Sequence, residues 1–321
     1  MNLFLIGNGF DLAHEMKTSY SDFRKFLKRK YSLTNKMIDS VPEIPYSYTT
    51  PDGDERYNDS VVALAIIQIL DATEGSIWRD IETNLATLDY GHFLDSYDLS
   101  NEEEDDDDDD NFFRDEYYRN EDNSRELCGA LELISDYFKD WVCKIRLSKT
   151  PILDFQNLID CDKDLFLTFN YTETLEKLYK VKNICHIHGT KNNEIYFGHG
   201  SDYPDVDNIQ RLWFGAENSI EYLHHCLQKD TERAYRNNFN FFKNLYYLSQ
   251  SNNINIYSYG FSFSDVDRIY LENIFRNIDT TNTVFYLNDF DNLEAREEFT
   301  DKIYKSGFQG EISSFHINKN N

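Results

Sequence analysis

Cysteine is scarce and poorly spaced for structural work. The five residues Cys128, Cys143, Cys161, Cys185 and Cys226 are odd in number and include no CxxC pair. That excludes a fully paired disulfide framework and leaves no structural zinc signature. Proline and glycine are few, at 5 and 13, which excludes a collagen-like or Pro/Gly-rich disordered chain. No apolar run approaches the ~20 residues of a membrane-spanning helix. The opening MNLFLIGNGFD lacks the basic start and long apolar stretch of a secretory signal. A cytoplasmic protein without a membrane partner is therefore expected. Basic residues are outnumbered, with 32 Lys and Arg against 58 Asp and Glu, for a net charge of −26 over 321 residues. Phosphate-backbone binding runs on Lys and Arg, so this balance weighs against nucleic acid as the partner.

What the chain does have is aromatic residues. Twenty-three Tyr and 24 Phe can fill a sizeable core, although apolar residues make up only 40% of the whole. The length fits one large domain or two modest ones. Asn2–Ile6 reads as a buried strand that stops at Gly7-Asn8-Gly9. Leu12, Met16, Tyr20, Phe23, Phe26 and Leu27 recur at spacings near three and four, which predicts helix with a break near Lys17-Thr18-Ser19. Val61–Leu70, Ile77–Leu88 and Glu126–Ile145 predict further helices. Leu165–Phe169, Asn183–Ile187, Ile195–Phe197, Asn255–Tyr259, Thr283–Leu287 and Glu311–His316 predict strands, alternating with helices. That alternation predicts an α/β fold, an open, mostly parallel sheet with helices on both faces.

The expected organisation is an α/β domain built from residues 1–30 and 150–321, with 31–149 a mainly helical insertion or cap. Between Asp98 and Asp122 there are 14 acids and two arginines. A block of like charge repels itself, so a solvated loop is expected at about 98–122. It lacks the alternation and the glycine of a calcium-binding loop.

In an open α/β sheet, ligands bind outside the carboxyl ends of the strands, and here those ends are polar. Gly7-Asn8-Gly9-Phe10-Asp11 follows the first strand. Small residues there let backbone N–H groups approach a phosphate, or simply make a strand–helix turn. The run is not GxGxxG, because Leu12 stands where the third glycine would be. Asn170, after the second strand, could hold a ribose hydroxyl or a water, or cap the next helix. His186 and His188 stand two apart, so their imidazoles could share a face. His188, beside Gly189, suits a general base near neutral pH. The two histidines could also be half of a metal site, with His199 or an acid as a third ligand. Gly260-Phe261-Ser262-Phe263-Ser264-Asp265-Val266-Asp267 offers hydroxyls and amides to a ribose or phosphate, or a capped helix start. Trp78 and Glu82, four apart, share a helix face, and Glu82 is a candidate acid.

The joint order of these motifs resembles the bacterial abortive-infection AbiH family. The matching stretches are IGNGFDLAHEMKTSYSDF at 6–23, WRDIETNLA at 78–86, LTFNYTETLEKLY at 167–179, HIHG at 186–189, FGHG at 197–200 and YGFSFSDVD at 259–267. That family in turn is similar to the sirtuin-like, Rossmann-type NAD-binding fold. The resemblance implies an anti-phage effector that hydrolyses NAD+ to ADP-ribose and nicotinamide. Asn170 and His188 would be its catalytic pair. Gly7, Asn8, Gly9, Phe10, Asp11, Thr168, Gly189, Gly260, Ser262 and Asp265 would be its nucleotide contacts. No metal and no cofactor beyond the NAD+ substrate is implied. The implied partners are NAD+ or a related nucleotide, a phage-derived trigger and further copies of the chain. The sirtuin zinc ribbon is absent and the first turn is GNGFD, which weighs against protein deacylation. The alternatives are a nucleotide-binding sensor without turnover and a metal-dependent nuclease.

Overall fold

Leu3, Phe4, Leu5 and Ile6 are apolar at successive positions, the pattern of a strand covered on both faces. They form most of β1 (Asn2–Ile6), with all four side chains at 0% exposure. The computed structural model describes residues 1–73, 81–82, 84–95, 109–148, 150–201, 204 and 206–318; at 109–113 and 206–208 it describes the backbone alone. The later strands are β2 (Tyr48–Thr49) and β3 (Glu55–Arg56), a short antiparallel hairpin, then β4 (Leu165–Thr168), β5 (Ile184–His186), β6 (Asn255–Tyr259), β7 (Val284–Asn288) and β8 (Glu311–Phe315).

Six of these strands make one parallel sheet in the order β5-β4-β1-β6-β7-β8. Counted along the sheet's own strands this is 3-2-1-4-5-6, the order of doubly wound nucleotide-binding folds, with the direction switching between β1 and β6. The α/β expectation therefore holds. An aromatic ladder fixes the register. Phe166, Phe4, Tyr257 and Tyr286 are in-register neighbours on β4, β1, β6 and β7, stacked at 4.9, 5.1 and 4.5 Å. A slip of one residue would turn each ring to the opposite face, where Leu3 and Leu5 pack.

Alternate residues feed two cores. Leu3, Leu5, Leu167 and Ile256 pack with Phe242, Leu245, Tyr270, Ile274, Phe299 and Ile303 from the helices Phe239–Ser249, Arg268–Asn277 and Leu293–Lys305. Phe4, Ile6 and Phe166 pack instead with Phe10, Phe155, Leu175 and Tyr179. These come from the helices Asn8–Ala13 and Leu153–Leu158 and the π-helical turn Leu175–Tyr179.

The chain divides into two compact units. One comprises Met1–Ser19, Val142–Tyr196 and Asp230–Asn321 and holds the sheet; the other comprises Tyr20–Trp141 and Phe197–Lys229. The helix Tyr20–Lys30 falls in the second unit, not with residues 1–19, because Phe23 lies 5.8 Å from Phe138 and 5.4 Å from Trp141. Residues 197–229 also belong there, a contribution that the expected 31–149 insertion lacked.

Three local expectations are corrected. Ile195–Phe197 is not a strand: Tyr196 is buried in the sheet-side core, while Phe197 stacks on Phe138 at 3.9 Å, so its two aromatics serve different cores. The acidic stretch is not a loop throughout, since Asp109–Glu132 is one helix. Asn120, Asn123, Ser124, Leu127 and Leu131 bury a stripe along it at helical spacing, and Asp115 and Asp122 face solvent. The part from 98 to 108 lies outside the described residues. The run from Glu126 to Ile145 breaks at Leu133 into Asp109–Glu132 and Ile134–Lys144. Among the described residues no helix is long and apolar enough to cross a membrane.

Candidate functional site

At the sheet's switch point the first turn packs directly on the turn after β6. Gly7 N–H donates to the Tyr259 carbonyl at 3.1 Å, and Gly9 N–H to the Gly260 carbonyl at 3.0 Å. Gly260 has φ +67, and a β-carbon on Gly7 would stand 2.4 Å from the Gly260 oxygen. The glycines thus let two backbones touch, and two of the amides that could cradle a phosphate are already bonded within the chain. Asn8 Nδ2 donates to the Thr18 carbonyl at 3.0 Å. Phe10 is a correction to the expected nucleotide contacts. Its ring is fully buried among Phe155, Tyr179 and Tyr259, with no surface left for a ligand.

The turn after β4 carries Asn170, which is buried and tied at three points. Its N–H donates to Thr168 Oγ1 at 3.1 Å, its Nδ2 to the Gly7 carbonyl at 3.0 Å, and its own carbonyl accepts from His186 Nδ1 at 3.0 Å. Thr168 therefore orients Asn170 from within the sheet. Asp11 lies buried beside this turn. Thr172 Oγ1 donates to its Oδ2 at 2.6 Å, and Thr174 Oγ1 to its Oδ1 at 2.9 Å. Burial strips water from the carboxylate and pushes its pKa from 3.8 to about 6, against the opposing pull of Thr172, Thr174, the His186 charge and Asn170.

That shift sets a pH dependence. Between about pH 4 and pH 6 the folded state keeps a proton on Asp11 that the unfolded state releases, so stability from this group falls as pH rises through the window. Two pKa units correspond to about 3 kcal/mol. Relative to Asp11→Asn, the wild type is expected to lose about that much unfolding free energy between pH 4 and pH 7, measured by urea titration. Parallel pH profiles for the two proteins would contradict it.

The two histidines of HIHG separate. β5 ends at His186 and a turn begins, so the same-face rule for strand residues no longer applies. His186 Nε2 meets Glu176 Oε1 at 2.8 Å, whereas His188 Nε2 meets Asp267 Oδ1 at 2.9 Å. The imidazoles face different carboxylates and do not converge on one point. Burial works to lower the His186 pKa, but the Glu176 hydrogen bond and charge outweigh it, and the net shift is upward. The His188 and Asp267 side chains are 4% and 5% exposed. The rings of Phe169 and Tyr171, which flank Asn170, lie 5.3 and 6.1 Å from the His188 ring, and Tyr270 lies at 6.0 Å. His188 and Asp267 thus form a buried polar pair walled by aromatic rings, while Asn170 is bonded to Thr168, Gly7 and His186. Gly189 turns the chain directly after His188, its N–H bonded to the His186 carbonyl at 3.0 Å.

Asp267 closes the motif read after β6, but its pairing with His188 is not visible in the sequence. Ser262 is half-buried and Asp265 is exposed. The single 3-10 turn Asp265–Asp267 carries the second acid of SDVD inward to His188. His199 belongs to the helical unit, where its Nδ1 accepts from Ser201 N–H at 3.2 Å and its Nε2 faces the His224 carbonyl at 3.0 Å. Burial and the neighbouring His224 lower its pKa to about 4, so it is a neutral buried histidine. Glu82, in the same unit, is ion-paired with the buried Lys229 at 2.6 Å; Trp78 lies outside the described residues. Among the described residues no group of three or more His, Cys, Asp or Glu side chains is placed to hold a metal ion. A depression of about 790 Å³ lined by Asn2, Lys163, Asp164 and Asn183 lies at the amino ends of β1, β4 and β5, away from the His188–Asp267 pair.

A family model described as bacteriophage abortive infection AbiH matches residues 3–289. The chain belongs to the AbiH family. No curated protein and no solved structure matches it. Membership gives this AbiH protein a role in abortive infection of bacteriophage, and the match spans Asn170, His188 and Asp267 alike.

Proposed function

We propose that this AbiH protein is a defence effector that hydrolyses the nicotinamide–ribose bond of NAD+ or a close relative. The observation that carries the reading is the buried His188–Asp267 pair, at 2.9 Å, beyond the carboxyl end of β5 in a sheet of doubly wound order. With Asp267 ionised, Nε2 of His188 carries the proton and Nδ1 is the basic nitrogen. In the proposed reaction the glycosidic C–N bond breaks and nicotinamide leaves neutral with the electron pair. Water then adds to the oxocarbenium-like ribose, and its proton passes to His188. The products are ADP-ribose, nicotinamide and a proton. Asn170 orients the water or a ribose hydroxyl.

Nucleotide profiling by mass spectrometry tests this in phage-infected bacteria carrying the wild type, His188→Ala or Asn170→Ala. The wild type is expected to lose NAD+ with matching gain of ADP-ribose and nicotinamide. Each variant is expected to slow that loss by at least about 100-fold. Stable nucleotide pools during effective protection would overturn the reading. A second reading, a nucleotide sensor without turnover, is favoured by one observation: Gly9 N–H and Asn170 Nδ2 are already committed to carbonyls of the chain. A sensor would bind nucleotide stoichiometrically and release no product.

A further inference from the structure

His186 stands between two acceptors. Its Nδ1 is 3.0 Å from the Asn170 carbonyl oxygen and its Nε2 is 2.8 Å from Glu176 Oε1. A carbonyl cannot donate, and an ionised carboxylate cannot either. A neutral imidazole has one N–H and would satisfy one of the two; the imidazolium satisfies both. The ring is held from opposite elements. Glu176 lies on the π-helical turn Leu175–Tyr179, while Asn170 lies in the turn after β4 and reaches on to Gly7. A line of bonds therefore runs from Glu176 through His186 and Asn170 to the first turn.

We propose that Glu176 and His186 are positioning residues for Asn170: Glu176 keeps the imidazole doubly protonated, and its Nδ1–H fixes the Asn170 carbonyl and with it the direction of the carboxamide. The proposal rests on the nucleotide-hydrolysis reading for its effect on rate. The direction of the titration agrees, since Glu176 is held below the usual carboxylate range by His186 even though burial opposes it. The titratable groups facing His186 are Glu176, Glu173 and Asp11. Glu173 is itself paired with Lys191 at 3.5 Å.

Two measurements on the full chain test it. The first needs no turnover. Long-range 1H–15N NMR of the imidazole is expected to report both nitrogens of His186 protonated in the wild type at pH 7.5, and a neutral ring at that pH in Glu176→Gln. A neutral His186 in the wild type would overturn the proposal. The second is the rate of NAD+ loss in infected cells. Glu176→Gln and His186→Ala are expected to slow it between about 10- and 100-fold, the scale of a misplaced reacting group. His186→Asn, whose amide can stand where Nδ1–H stands, is expected to recover most of the rate. With His188→Ala inactive, wild-type rates in Glu176→Gln would sink the positioning role alone. Equal NAD+ loss in the wild type and His188→Ala would sink the hydrolysis reading, and the positioning role with it.

Discussion

Replacing Gly260 by alanine is expected to lower the unfolding free energy by about 2–5 kcal/mol, with or without nucleotide present. Two penalties add. Gly260 adopts φ +67, which costs an L-residue roughly 1–2 kcal/mol. The new methyl group would also stand 2.4 Å from Phe10 N and 2.5 Å from Gly9 Cα. Those are backbone atoms, so relief requires moving the whole first turn, at about 1–3 kcal/mol. Gly53 separates the two penalties, because it has φ +88 with nothing within 4 Å of a β-carbon. Gly53→Ala is expected to cost only the conformational part, about 1–2 kcal/mol. Urea denaturation of both variants compares them. Equal losses would show that contact between the turns is not what the glycine provides. Gly7→Ala strikes the same contact between the two turns from the other side, at the Gly260 carbonyl, so the double variant is expected to lose less than the two single losses together.

Glu82→Gln is expected to destabilise the helical unit by about 1.5–3 kcal/mol. Lys229 is 0% exposed at its side chain, with Nζ 2.6 Å from Glu82 Oε1. Removing the carboxylate takes one counter-charge away from an ammonium that stays in a low-dielectric interior, which costs more than losing the same contact at the surface. Combining Glu82→Gln with Lys229→Met is therefore expected to recover much of the loss. A single variant within about 0.5 kcal/mol of wild type would mean that other groups hold the ammonium. WRDIETNLA, from which Glu82 was read as a candidate acid, would then need another explanation.

The strands were readable because a buried parallel strand needs apolar residues on both faces, and LFLI and LFLT each supply an unbroken run. Ile195–Phe197 looks the same over three residues, and nothing local distinguishes a strand from a crossing between two cores. The acids from Asp109 onward advertise solvent, but the helix they join is decided by the stripe from Asn120 to Leu131 on its other side. Asn170 and His188 could be found from their places at strand ends. Their partners could not. Asp267 and Glu176 lie 79 and 10 residues from His188 and His186, and only the folded chain says which acid meets which ring. Asp265 is the same residue type as Asp267 and two residues away; a single 3-10 turn separates the exposed one from the buried one.

β1 is the middle of the sheet, yet both of its neighbours are made much later. Leu3 pairs with Leu165 on one side and Ile256 on the other. At the usual pace of synthesis, roughly 5–20 residues per second, β4 trails β1 by about 8–32 s and β6 by about 13–50 s. Through that interval Leu3, Phe4, Leu5 and Ile6 are off the ribosome with neither partner strand in existence. The segment from Tyr20 to Trp141, most of the second unit, is translated in that interval. That unit is completed only by Phe197–Lys229, made after β5, and the sheet closes later still, when β6 pairs with β1. Shielding of this N-terminal strand during synthesis, for example by a chaperone that binds short apolar segments, would then govern the yield of folded protein more than the final stability does.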